Sequence, residues 1–308
     1  MDPMFEPDIE KFLETHRRAF LVTVSSRGGP TVHPVTVVDR DHLCLYFNTY
    51  RKSTKVRNLI RDPRVACVVA SADSEDPFTA VEVRGPAEVV ETEGMPRSLA
   101  EEEPGDSEGV MLEENRQRVR QRLASGKRVY VRLSVTESRF CEVAGRSLAP
   151  MPYPSGSEAF EDGTWSGPTR PSAIVMSRTE VATFLHGKHI AILGTVDPGG
   201  RPNGTAVRYT VGPGRLGLIV AASDPARQNI AESKVACVTA EEFPTYETIA
   251  GVMVHGEARA PRPDEWRGWS DRVSSGFEEL TLFPGRVGSC DFKKIHQSRP
   301  APSDRRHE

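Results

Sequence analysis

The sequence lacks what would tie it to a membrane, a polyanion or a disulfide framework. No apolar run approaches the ~18 residues a helical membrane span needs. The first residues, Met1-Asp2-Pro3-Met4-Phe5-Glu6, have neither the basic region nor the apolar stretch of a secretory leader. Cysteine is scarce: Cys44, Cys67, Cys141, Cys237 and Cys290 are odd in number, scattered, and never at C-x-x-C spacing. That excludes a paired framework or a zinc knuckle and predicts reduced thiols in a cytoplasmic protein without a metal site. There is no basic excess either, since 40 Lys and Arg stand against 43 Asp and Glu for a net charge of -3. Nucleic acid is therefore not an expected partner. What remains is a chain of 308 residues, 37% hydrophobic and 27% charged, with the balance of a soluble protein and length for two ordinary domains.

Those two domains are written as a repeat. Phe12-Leu13 returns as Phe184-Leu185, Phe20-Leu21-Val22-Thr23-Val24 as Ile192-Leu193-Gly194-Thr195-Val196, and Gly28-Gly29-Pro30 as Gly199-Gly200-Arg201-Pro202. Val65-Ala66-Cys67-Val68 returns unchanged as Val235-Ala236-Cys237-Val238, and Val83-Arg84-Gly85-Pro86-Ala87 as Val254-His255-Gly256-Glu257-Ala258. Five matches in order, at a nearly constant separation, imply a duplication. Two copies are too few for a solenoid, so they are expected to pack on one another like the halves of a dimer.

Each copy opens with a short helix (Ile9 to His16, Thr179 to Leu185) and a β-branched strand (Ala19 to Ser25, Ile190 to Val196). Glycine turns follow at Arg27-Gly28-Gly29-Pro30 and Asp197-Pro198-Gly199-Gly200. Strands are then predicted over Thr31 to Val38, closed by the turn Asp39-Arg40-Asp41, and over Leu43 to Asn48, Val65 to Ala70 and Ala80 to Val90. Helices are predicted over Ser53 to Arg61, stopped by Asp62-Pro63, and over Glu113 to Ala124. Arg128 to Glu142 is the last strand or pair of strands. Many short strands with brief helices point to a mainly β fold built of antiparallel barrels. The predicted organisation is a first barrel over 1–145, a Pro-rich linker over 146–172, a second barrel over 173–297 and a disordered tail over 298–308. Glu91 to Gly109 is read as an acidic loop, and Trp266 and Trp269, three apart, as one face of a helix.

The sharpest local signal is Thr49-Tyr50-Arg51-Lys52-Ser53-Thr54-Lys55-Val56-Arg57-Asn58-Leu59, where hydroxyls and cations meet at a strand end and a helix start. Free N–H groups and a positive dipole end suit an anion such as phosphate, and cations crowded there need one. By pattern alone a solvated basic face fits equally well.

The stretch from Phe47 to Lys55, continued by Asn58-Leu59-Ile60-Arg61-Asp62-Pro63-Arg64-Val65, resembles the pyridoxamine 5'-phosphate oxidase-like split β-barrel family. The second copy repeats the resemblance more faintly. It implies two tandem split barrels packed as a pseudo-dimer, and FMN held by its phosphate at Thr49, Ser53 and Lys55 with help from Arg51 and Lys52. It also places His33, Pro34, Val35 and Thr36 near the flavin ring, although His33 on an alternating strand reads more readily as a surface histidine than as a catalytic one. Thr54 stands where the oxidase has Arg, and Ala80 where it has a cofactor-contacting Gln, so vitamin B6 oxidase activity itself is not expected. In the second copy Ala226 replaces the Lys55 position and Asp224 would oppose phosphate, leaving one cofactor site, in the first copy. Arg208, Tyr209 and His255 are candidate contacts from the second copy.

The function implied is a flavin-dependent oxidoreductase acting on a small organic substrate, with reduced nicotinamide a possible partner, working as a monomeric pseudo-dimer or as a homodimer. A 5-deazaflavin coenzyme is a close competitor, since Arg51, Lys52 and Arg57 suit a longer anionic tail. Haem on His33, His189 or His255, or a non-catalytic cofactor-binding role, are the remaining readings.

Overall fold

The computed structural model describes residues 5–72, 77–90, 113–145, 166, 174–242, 249–263, 265, 269, 276–292 and 294. The expected acidic loop, the linker apart from Ser166, the tail and Trp266 lie outside these residues.

The first unit runs α1 (Pro7–Thr15), β1 (Arg18–Val24), β2 (Pro30–Asp41), β3 (Cys44–Tyr50), α2 (Thr54–Arg61), β4 (Arg64–Ala70), β5 (Ala80–Val90), α3 (Glu113–Ala124), β6 (Arg128–Ser134) and β7 (Glu137–Phe140). The second runs α4 (Arg178–His186), β8 (Ile190–Val196), β9 (Pro202–Gly212), β10 (Arg215–Ala221), α5 (Pro225–Ser233), β11 (Val235–Glu242), β12 (Ala250–Arg259) and β13 (Phe277–Asp291).

Local chemistry sets the boundaries. Ser53 caps α2 by accepting from the Val56 N–H, and Ser177 and Glu180 cap α4 reciprocally. Gly28 and Gly200 take φ of 79° and 77° at matching hairpin turns. The predicted turn at Asp39-Arg40-Asp41 does not form. A bulge between Val37 and Asp39 lets β2 continue to Asp41, and the reversal falls at His42, in the left-handed region at φ 46°.

Each copy closes into a six-stranded antiparallel barrel, in the order β1-β2-β3-β6-β5-β4 and β8-β9-β10-β13-β12-β11. The barrels are split in the same place. β2 pairs with β1 along Arg18 to Val24 but with β3 only from Val37 onward, which leaves Pro30 to Thr36 with one unpaired edge. Pro34, which has no N–H to offer, is tolerated there for that reason. β9 meets β10 only from Arg208 onward.

A third apolar cluster, between the barrels, joins Phe20, Val22, Val32, Ala66 and Val68 of the first to Ile192, Ala206 and Cys237 of the second. The fit is asymmetric. Val22 and Val32 stand opposite one another in the first copy; their counterparts Gly194 and Gly204 stand opposite one another in the second. A Cβ on Gly194 would lie 2.5 Å from a Val32 methyl, and one on Gly204 would lie 2.7 Å from a Val68 methyl. Valine knobs of one barrel thus fill a glycine depression on the other.

The register also corrects the repeat. Val22 pairs with Ala66, while its counterpart Gly194 pairs with Cys237. The identical Val-Ala-Cys-Val segments therefore sit one residue out of phase. Cys67 points into the first barrel, whereas Cys237 points into the interface between barrels. The second copy has one residue fewer before this segment: seven steps separate Asn58 from Val65 but six separate Asn229 from Val235. α5 nevertheless runs one residue longer than α2 and ends at Lys234 in the left-handed region at φ 57°.

Candidate functional site

Two pseudo-equivalent slots lie at the ends of the inter-barrel interface, one against α2 and one against α5. At the first, the split leaves the Pro34 carbonyl free, and the Lys55 ammonium donates to it at 3.3 Å. Burial, then the nearby Arg128, push the Lys55 pKa down to about 8, against the pull of Glu241 and Cys290 across the interface. Arg128 was not predicted. It opens β6, stands opposite Tyr50 in register, lies over that ring at 4.7 Å, and donates to Asn48 at 2.5 Å. Its Nε and Nη1 are buried and have no hydrogen-bond partner. Arg122 of α3 reaches the Tyr50 hydroxyl and stacks on its ring from 5.4 Å.

Of the residues expected here, Thr49 is buried at the end of β3, Arg51 and Lys52 are exposed in the turn before α2, and Ser53 and Lys55 are half-buried. Ser53 spends its hydroxyl on the helix cap, and Arg51 donates to the Gly126 carbonyl at 3.1 Å. His33 lies on the unpaired stretch of β2. Its Nε2 is shielded and without a partner, and its pKa falls to about 3 through burial, Lys55, His255 and Arg286. Thr36 is half-buried, but Val35 packs into the core of the first barrel and does not face the slot.

The second-copy contacts divide. His255, lowered to about 4 by burial and Arg286, reaches the Pro30 backbone of the first barrel and lies beside Met253 at 3.1 Å. Tyr209 is not brought to the first slot: it is fully buried in the second barrel's core and donates to the Leu185 carbonyl at 2.9 Å. Arg208 stays at the second slot, bonded to the Gly145 carbonyl and stacked on Trp269. Trp269 sits at an isolated bridge position, not on the expected helix. His189 is exposed at the head of β8.

The slot against α5 is closed. Arg139 of β7 reaches across to donate to Asp224 at 3.0 Å and to Glu82 at 2.7 Å. Asp224 caps α5 through the Ala226 N–H at 2.8 Å, so a protein carboxylate occupies the place an anion would take. Glu82, 1% exposed, also accepts from Arg84 at 2.7 Å and from the Gly204 N–H at 2.6 Å. Where Arg128 faces the first slot, Phe277 joins Trp269, Ile219 and Ala144 in an apolar cluster.

At the open slot the register counterpart of Arg139 is Gly288, because Arg139 pairs with Glu82 and Gly288 with the matching Met253. A Cβ on Gly288 would meet nothing within 4 Å. Open space thus lies at Gly288, two residues along β13 from Cys290, which is close enough to Lys55 to shift its titration.

The sequence model of pyridoxamine 5'-phosphate oxidase matches residues 5–141 and 177–299, both barrels in turn. The chain belongs to the pyridoxamine 5'-phosphate oxidase family. The family includes oxidoreductases, so an enzymatic role agrees with membership. Among solved structures, a conserved hypothetical protein of Mycobacterium tuberculosis is 29% identical, over 45% of this chain and 84% of its own, at a TM-score of 0.36. A protein titled F420 reductase is 24% identical, over 42% and 94%, at 0.30. An FAD-binding protein of Mesorhizobium loti is 18% identical, over 44% and 94%, at 0.34. No protein with a curated description matches the chain. Among the described residues no helix is long and apolar enough to cross a membrane, and no three His, Cys, Asp or Glu gather to hold a metal.

Proposed function

We propose that this protein is a flavin-dependent oxidoreductase that holds one FMN by its phosphate in the α2 slot and acts on a small organic substrate. The observation that carries this reading is the corner where the buried, unpartnered Nε and Nη1 of Arg128 lie close enough to Lys55 to depress its pKa. Two cations so placed repel until an anion arrives between them. The α2 N-terminus adds its dipole. When bound, the flavin supplies the two-electron chemistry, and the protein supplies position and electrostatics. Lys55 and Arg128 anchor the phosphate; the unpaired edge of β2, from Val32 to Thr36, borders the remainder of the slot. Reduced nicotinamide is a fitting electron source.

A second reading, a 5-deazaflavin coenzyme, is favoured by the exposure of Arg51 and Lys52 just outside the corner, where a longer anionic tail would meet them.

The absorption spectrum of the freshly purified protein separates these. Bands near roughly 370 and 450 nm mean flavin and a band near about 420 nm means deazaflavin. A protein that takes up neither cofactor sinks both readings. Lys55→Ala is expected to weaken FMN binding by about tenfold to a hundredfold, the loss of one charge-assisted contact of about 1.5–3 kcal/mol. Arg227→Ala in the second copy, whose guanidinium already pairs with Glu278, is expected to leave it unchanged.

A further inference from the structure

One face of β13 forms the second wall of the open slot. Residues two apart on a strand share a face, so Arg286, Gly288 and Cys290 line up along it. At one end Cys290 lies close enough to Lys55 for each to shift the other's titration, the thiol itself being pushed up to about 11 chiefly by burial. At the other, Arg286 pairs with His255 in register, and its charge is felt by His255, His33 and Cys237. Between them Gly288 leaves room. Four residues of strand make this wall about 13 Å long.

Its counterpart on β7 carries Glu137 and Arg139 at the same register places, with Cys141 just past the strand end, its N–H donating to the Ala80 carbonyl. There the face is acidic or self-paired: Glu137 lies 3.7 Å from Arg84, and Arg139 is held between Glu82 and Asp224. Between the two slots glutamate has become Arg286, arginine has become Gly288 and Glu82 has become Met253. At these three places the open slot has lost both glutamates and gained a cation far from the phosphate corner, while the buried Glu241 stays near Lys55 at the other end. Arg286 is exposed, and no carboxylate lies within ion-pair distance of it among the described residues. The unpartnered His33 Nε2 adds a polar contact on the facing strand.

We infer that the open slot selects a small organic anion, bound by the Arg286 guanidinium at the end remote from Lys55, so that the second barrel supplies the specificity while the first holds the cofactor. A planar guanidinium recognises a carboxylate through two parallel donors, which a neutral amide cannot reproduce. The inference rests on the reading of this slot as the working site, but not on the identity of the cofactor. His33 and His255, neutral above their lowered pKa values, offer hydrogen bonds there without adding charge.

The test is calorimetric titration of the full-length protein, with and without FMN, using benzoate as the probe and benzamide as its neutral counterpart. Benzoate is expected to bind at least tenfold more tightly than benzamide. Arg286→Gln should lower benzoate affinity at least tenfold and abolish the discrimination, while FMN binding stays within twofold of the parent. Lys55→Ala should do the reverse. Gly288→Arg, which returns the side chain that closes the other slot into open space, should lose both ligands. Benzoate binding that survives Arg286→Gln or Gly288→Arg overturns the inference, as does a parent protein that binds neither probe. If FMN fails to bind but benzoate binds through Arg286, the flavin reading falls and this one stands.

Discussion

The two slots descend from one ancestor site, and they differ in what fills them. The α5 slot holds its own anion, Asp224, and its own cation, Arg139, and is packed with Trp269 and Phe277 where charge would be needed. The α2 slot has Ser53, Gly288 and Arg128 at those places and is left with unsatisfied donors. A buried donor without a partner costs stability. Both slots carry some of that cost, since Arg139 Nη2 and Trp269 Nε1 are orphaned in the second, but there the Arg139 charge is met by two carboxylates. On the proposed reading, the difference separates a site built for a ligand from one converted to scaffold.

The comparison can be broken most severely at the scaffold end. Glu82→Ala leaves Arg84 and Arg139 without their shared carboxylate, and is expected to destabilise the protein by about 3–5 kcal/mol, read by denaturant unfolding. A loss under about 1 kcal/mol would mean the network is not what joins the barrels. Gly194→Val restores the first copy's residue to the second and drives a side chain into Val32. Overpacking of this kind costs about 1–3 kcal/mol, and Val32→Ala in the same chain should recover part of it. Arg128→Phe copies Phe277 into the open slot. It should weaken FMN binding about tenfold or more while shifting the unfolding midpoint little or upward, because a charge with unsatisfied donors is removed.

The smallest effect is pH dependence. His33 and His255 titrate near 3 and 4 in the folded chain, well below the ordinary histidine value of 6.5. The unfolded chain therefore takes up protons that the folded one refuses. Stability is full above about pH 6.5 and falls as the pH drops toward 4 and then 3. Lys55, lowered to about 8 from 10.5, has the same sign in a higher window, so stability in the absence of ligand rises as pH rises from about 8 to 10.5. An anion bound beside Lys55 should flatten that upper rise. An unchanged upper slope in the presence of FMN would separate Lys55 from the phosphate.

Strand content, the duplication and the inequality of the copies were legible because period-two patterns, glycine turns and a basic helix start are local features. Asn58 and Asn229 were visible as a retained pair, and their shared role is buried: each donates to the threonine of its first strand at 3.0 Å. What was hidden depends on distant pairing. Arg128 lies far along the chain from Lys55, and only the β3–β6 register sets it beside Tyr50. The signal for Glu82 was faint but present: Val81-Glu82-Val83-Arg84 alternates, placing both charges on the face that a lone barrel would give to water and a paired one buries. The Val-Ala-Cys-Val identity misled, because one residue fewer between Asn229 and Val235 slid the matching letters onto opposite faces.

The valine-and-glycine fit between the barrels carries a consequence for inheritance. Two copies of the first half set face to face would bring valines against valines, and two copies of the second would leave a hollow where the glycines meet. Neither half can return to pairing with itself without several coordinated changes. Joining the two in one chain fixed their ratio at one to one, and the glycines then turned that convenience into a ratchet.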